Sequence, residues 1–286
     1  NFKPNIFAQR LAKGRSDTIC LVIPRYEGIF FSFYANQIIR GVGVAAENLK
    51  LDLLLHLSSG KNNINTAVIG GILFADIISN MDSLRSALEL GIPCVVMNHH
   101  LDTPEVSYIT IDNKEGAKQA TEYLIGLGHR NIVHMTGDLK SQAAIERLEG
   151  YKLAFKEKHI KTKDEFIKEG DYSRSSARKA MSLLMKSKKI PTAVFTASDD
   201  MAEEVISVIL EHKLKVPDDI SVIGFDDNPI CLYGPVALTT VRQPLIEMAA
   251  QATSLLHKMT LSKTTKISTK ISLPTELIIR DSCRQL

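Results

Sequence analysis

Four side chains with binding chemistry stand where apolar runs give way to loops. Arg147 lies in QAAIERLEGY, on the first turns of a helix that follows the apolar run 132–135. Tyr172 follows Phe166-Ile167, Asp199 follows the run 193–196, and Asp226 follows 220–225. A guanidinium presents a planar fork of donors that suits vicinal hydroxyls or a carboxylate. Ionised carboxylates are strong acceptors for hydroxyl-rich or amine-bearing guests, and a tyrosine ring can stack on a sugar or a base. Each residue also has a purely structural reading. Arg147 can pair on the surface with Glu146 or Glu149, either aspartate can cap a helix, and Tyr172 can pack into a core. The aromatic cluster Phe30, Phe31, Phe33 and Tyr34 divides in the same way, part core and part ligand wall, with Phe31 the candidate for the wall.

Catalytic signatures are missing. No GxGxxG follows the first apolar run, and no GxxxxGK[ST], HExxH or GxSxG occurs. Gly41-Val-Gly43 falls inside a helical pattern and is no phosphate loop. His99-His100 follows the run at Val95 and reads as a polar rim, because no further metal ligands accompany the pair. The expectation is a binding protein, not an enzyme, with neither cofactor nor metal.

The elements that would position these residues alternate. Strand patterns at 18–24, 53–57, 70–74, 95–97 and 106–111 are interleaved with helical patterns ending near 49, 90 and 127. Gly91 and Pro93 form a helix stop signal. A second series follows, with strands at 132–135, 166–167, 193–196 and 220–225 and helices at 142–158, 175–185 and 201–212. A helix from Pro244 to about 259 and strands at 267–273 and 276–280 close the chain. Alternation of this kind builds parallel sheets with right-handed crossovers, and ligands bind beyond the carboxyl ends of such strands. Val241-Arg242-Gln243-Pro244 breaks the rhythm: proline removes a donor and holds Gln243 extended. The chain therefore crosses between lobes there.

With 286 residues the chain fits two lobes, and its 44% hydrophobic and 23% charged content is that of a globular protein. Cys20, Cys94, Cys231 and Cys283 show neither zinc nor disulfide spacing, which favours a reducing compartment. No apolar run reaches transmembrane length, and residues 1–16 lack a secretory h-region; the expected location is cytoplasmic. The net charge of +3 does not itself imply nucleic acid. Residues 1–16 nevertheless carry Lys3, Arg10, Lys13 and Arg15 with no acid before Asp17.

Taken in order, NFKPNIFAQRLAKGRS, GLGHRNIVHMTG, ERLEGY, PDDISVIGFDD, LTTVRQP and LPTELIIRDSC resemble the signatures of the lactose/galactose-repressor family of bacterial transcription regulators. The resemblance spans essentially the whole chain. It implies an α/β fold of two Rossmann-like lobes with parallel sheets, periplasmic-binding-protein-like, joined by three crossover strands. The implied lobes are 17–127 with 242–263 and 128–241 with 264–286, preceded by a hinge at 1–16 that leads from a DNA-binding headpiece. Arg147 and Asp226 match the family's effector positions, Tyr172 its stacking aromatic, and Ser198-Asp199 its usual Asn-Asp pair. Gln243 lies at the crossover, and Asn98 and Asp112 end first-lobe strands. Leu11, with Arg10 and Asn5, matches the hinge that wedges into an operator minor groove. Two departures stand out: Gln9-Arg10 alters the usual hinge arrangement, and the segment 25–37 is longer than the usual loop.

The function implied is a homodimeric repressor that binds a sugar or sugar derivative between its lobes and changes its affinity for operator DNA, with no membrane partner. The rival is a sugar-binding solute-binding protein of a transport system, which shares the two-lobed fold.

Overall fold

The computed structural model describes residues 16–25, 29–60, 64–102, 106–187, 189–262 and 268–286; Asn5, Arg10 and Leu11 lie outside them. The chain divides into two compact units, 1–111 with 244–273 and 112–243 with 274–286, so it passes from one to the other three times. Each unit is an α/β body with a parallel sheet.

In the first unit β1 (Thr18–Pro24), β2 (Asp52–Ser58), β3 (Gly71–Phe74), β4 (Cys94–Met97), β5 (Ser107–Ile111) and β11 (Lys270–Leu273) form one sheet. Its order is β11-β5-β4-β3-β1-β2, parallel throughout. Side chains alternate across a strand, so β1 feeds two cores. Ile19, Leu21 and Ile23 pack toward α1 (Phe33–Asn48) and α7 (Leu245–Ser262). Cys20 and Val22 pack on the other face with Leu84 and Ala87 of α2 (Met81–Glu89). The helical spacing of Ile38, Val42 and Ala46 supplies the buried stripe of α1. That helix starts earlier than its apolar stripe suggests: Ser32 caps it by accepting from the Ala35 amide, so 33–37 is its first turn and not loop. Tyr34 is thereby turned to donate its hydroxyl proton to the Ala75 carbonyl.

The second unit contains β6 (Ile132–Met135), β7 (Ile167–Lys168), β8 (Ala193–Thr196) and β9 (Ser221–Ile223), in the order β7-β6-β8-β9, all parallel. Helices α5 (Arg174–Met185) and α6 (Asp199–Glu211) cover one face, and α3 (Asn113–Gly126) and α4 (Gln142–Glu157) the other. An antiparallel ribbon of β10 (Thr240–Arg242) and β12 (Glu276–Ile278) completes the unit. Where the sequence suggests a lobe boundary at 127, the structure places it after Ile111, because α3 packs its Ala117, Ala120 and Leu124 into the second unit's core. Two strand limits also move. Phe166 ends a 3-10 turn, so the strand is Ile167–Lys168. β9 stops at Ile223 because Gly224 and Asp226 instead donate their amide protons to the Thr239 and Val241 carbonyls.

Helices α3 and α4 approach closely at Gly150, where a Cβ would lie 2.1 Å from the Lys114 carbonyl oxygen and 2.9 Å from the Ala117 Cβ. Backbone cannot yield there without separating the helices. Gly150→Ala is expected to cost about 1–3 kcal/mol of stability, the usual scale of overpacking, read as a lowered urea midpoint with unchanged slope.

Candidate functional site

The second unit gathers its polar residues where its parallel strands end. Ser141 caps α4 by accepting from the Ala144 amide, and Arg147 follows within two turns. Its side chain is buried, only 4% exposed, which removes the surface-pair reading. Nε donates to Asn113 Oδ1 at 3.0 Å and Nη1 to the Ala197 carbonyl, while the guanidinium carbon sits 3.7 Å from the Phe225 ring centroid. That stacking compensates part of the charge's lost hydration. Among the described residues no carboxylate lies within ion-pair distance of Arg147, and Nη2 has no hydrogen-bond partner. A buried cation left this way favours a guest that accepts hydrogen bonds.

Asp226 follows β9 with φ at 131°, a conformation L-residues rarely adopt, at a cost of order 1–3 kcal/mol. Its amide donates to the Val241 carbonyl at 2.8 Å, and its Oδ1 accepts from Gln243 Nε2. Gln243 is buried, and its Oε1 has no partner. Burial first, then the neighbouring Asp199 carboxylate, push the Asp226 carboxyl well above the usual range against the pull of Arg147. A carboxyl that keeps its proton can donate as well as accept.

Asp199 does not cap α6; Ser198 does, accepting from the Met201 amide. The Asp199 carboxylate is fully buried and takes the Thr240 hydroxyl on Oδ1 at 2.5 Å and the Asn228 amide on Oδ2 at 2.8 Å. It braces the 226–228 loop from below. Burial pushes it up to about 6 despite those donors. Gly224 makes room for it: a Cβ there would lie 2.1 Å from Asp199 Oδ1. Tyr172 is half-buried with φ at 67°, its hydroxyl 3.1 Å from Ser141 Oγ and its ring centroid 6.0 Å from the Arg147 guanidinium carbon. Arg147, Asp226, Gln243 and Tyr172 thus fall on one end of one unit, braced by Asp199 and Ser198.

Asp112 stands apart from that group as the cap of α3, exposed, its Oδ1 accepting from the Glu115 amide at 2.9 Å. In the first unit Phe31 is 90% exposed at the end of a 3-10 turn. Asn98 follows β4 with φ at 56°, buried, its Oδ1 without a partner. Beside it His99 Nδ1 lies 3.9 Å from Asp76 Oδ1. Sequence reasoning missed Asn113, Thr240 and Asp76. Asn113 was findable as the neighbour of a strand-end aspartate; Thr240 and Asp76 carry no local signal.

All four cysteines are free. Among the described residues no helix is long and apolar enough to cross a membrane, and no cluster of potential metal ligands occurs.

The family model of the periplasmic binding protein-like domain matches residues 121–283. The chain is similar to the probable HTH-type transcriptional repressor ExuR of Bacillus subtilis (strain 168), 34% identical over 290 residues that span 100% of this chain and 86% of that protein. Among solved structures it is similar to the transcriptional regulator CelR–cellobiose complex, with 29% identity, a TM-score of 0.84, and coverage of 96% of this chain and 88% of that one. It also shares the fold of the Lac repressor dimer bound to operator and the anti-inducer ONPF, at 23% identity and a TM-score of 0.87 over 99% and 100% of the two chains.

Burial alone pushes the Asp76 carboxyl from 3.8 up to about 6, with its two backbone donors opposing. The fold therefore prefers the protonated acid, and the unfolded chain loses that proton first. Relative to Asp76→Asn, stability is expected to be greatest below pH 4, to fall as pH rises from about 4 to 6, and to level off above. The difference is up to about 3 kcal/mol, measured by urea unfolding of both proteins across that range.

Proposed function

This chain belongs to the lactose/galactose-repressor family of transcription regulators, and from that premise we propose that Arg147, Asp226, Gln243 and Tyr172 hold a polyhydroxylated, sugar-like effector. The carrying observation is the unsatisfied inventory at one strand end. The buried Gln243 oxygen has no partner, one guanidinium nitrogen of Arg147 is not engaged by the protein, and a carboxyl whose charged form burial disfavours can donate or accept. A ring with adjacent hydroxyls supplies both donors and acceptors, and Tyr172 offers it a face. Asp199 and Ser198 support the backbone around these side chains, while Asp112 serves as the cap of α3. CelR was solved with cellobiose, a ligand of the same class.

The readout of binding is operator affinity, in a homodimer whose hinge, with Leu11, Arg10 and Asn5, meets the DNA. The Lac repressor acts as such an operator-bound dimer. Gln243 is the last residue of the second unit before the chain enters the first at Pro244, so a guest that engages it acts on the connection itself. Only an effector that favours one conformation over another changes operator affinity. The transport reading is set aside, because the relatives are transcription regulators; they are not enzymes. The site belongs to a cytoplasmic regulator.

A thermal-shift screen of neutral mono- and disaccharides, sugar acids and sugar phosphates is the direct test, since a ligand of the folded state raises apparent stability. At least one sugar is expected to raise Tm, with Arg147→Ala and Asp226→Asn each weakening its binding by roughly tenfold or more. A hit undiminished in both variants moves the site elsewhere. Operator affinity that stays the same with the hit bound removes the regulatory claim.

A further inference from the structure

Two consecutive aspartates, Asp226 and Asp227, both have positive φ, 131° and 56°. Their side chains face two consecutive residues of the returning chain. Gln243 Nε2 donates to Asp226, and Arg242 Nε donates to Asp227 Oδ2 at 2.7 Å. A parallel bridge between Asp226 and Arg242 fixes that register. Asp227 has a second cation: Arg280 Nη2 lies 2.5 Å from its Oδ1. Arg280 is itself anchored, Nη1 donating to the Leu238 carbonyl at 2.7 Å and its amide to Thr239 Oγ1 at 2.9 Å. One carboxylate therefore joins the loop after β9, the end of β10 and the segment after β12.

The two arginines are not equal. The Asp227–Arg280 pair is 13% and 14% exposed, whereas Arg242 is 48% exposed and shared with Glu276 at 3.0 Å. Screening weakens exposed pairs, and a desolvated, hydrogen-bonded pair carries more. The arginines also hold the Asp227 carboxyl below its usual range although burial opposes them. The charged form of Asp227 is thus favoured, and it anchors a neighbour whose backbone is strained.

We propose that Asp227 and Arg280 are positioning residues that hold Asp226 in its left-handed backbone conformation and bind its carboxyl to Gln243 at the last residue before the chain changes units. Neither touches the effector. They act through Asp226, so an effector on Asp226 also pulls on the strand that leads to Pro244. The geometric half stands on the ion pairs alone; the consequence for effector binding rests on the function proposed above.

Crystal structures of Asp227→Asn and Arg280→Gln test the geometric half without any ligand. Asp226 is expected to leave positive φ and to lose its bond from Gln243 in both, and a retained φ near 131° with that bond intact overturns the proposal. Arg242→Gln, at an exposed position, serves if the other two fail to fold: it is expected to move the φ of Asp226 away from 131° or to lengthen its bond from Gln243, and no change in either overturns the proposal. Where all three fold, an equal or larger shift than in Arg280→Gln overturns the ranking of the two arginines. Arg280→Lys should restore the wild-type φ, which a loss of bulk packing would not explain. Calorimetry with cellobiose and with D-ribose as probes tests the other half. Either sugar that binds wild type is expected to bind Asp227→Asn at least tenfold more weakly, with no added loss in an Asp226→Ala background. A change of the Asp226 φ in Asp227→Asn without a change in affinity would leave the positioning role and sink its link to effector binding. Binding that survives Arg147→Ala would instead count against the site itself.

Discussion

A buried guanidinium with no carboxylate at ion-pair distance among the described residues sets the terms for the second unit. Removing such a charge from water is expensive, and unpaired cations do not persist inside proteins without other compensation. Arg147 obtains it from three directions: an amide oxygen on Asn113, a carbonyl at Ala197, and the π face of Phe225. Each partner comes from a different element: the first turn of α3, the loop after β8 and the loop after β9. The helix starts and strand ends are therefore located by one side chain as much as by the sheet. The same contact pins the start of α3, whose first residue is Asn113, while its apolar face is held by the second unit's core.

The carboxyls answer that cation at a distance. Burial raises both carboxyls first; the Asp199 charge then adds to the rise of Asp226, and the Asp227 charge to that of Asp199. Two anions and one cation in a desolvated space do not all stay ionised cheaply. Donors from Thr240, Asn228 and Gln243 settle which oxygens are already engaged and which remain open. Gly224 matters here for steric reasons: only a residue without a side chain lets Asp199 reach beneath the loop it braces.

The alternation of strands and helices was legible because buried parallel strands read as continuous apolar runs and covering helices as apolar stripes. The strand-end placement of Arg147, Asp199 and Asp226 followed from that alternation. What each side chain does there was not legible. Whether Asp199 caps a helix or faces a guest depends on Thr240, forty-one residues away, and no local pattern reports so distant a partner. Ser198 took the cap because its backbone is extended where Asp199 is already helical. β10 carries no sequence signal for a related reason. Three residues before a proline are too short for a periodic signal, and their pairing partner lies beyond the whole of α7. The lobe boundary depended on which core receives α3, a matter of packing that the helix's own sequence does not state.

The first unit is discontinuous: α7 and β11 belong to it, yet they follow all of the second unit up to Gln243 in the chain. Met248, Ala249, Ala252 and Leu256 of α7 close the core that α1 opens. During synthesis, residues 1–111 emerge with that face bare and wait while more than a hundred further residues are made. The second unit is nearly contiguous and is complete but for β12 and the residues after it. The first body therefore cannot close before most of the second has been made, and its bare face must be shielded from association until the later helix arrives.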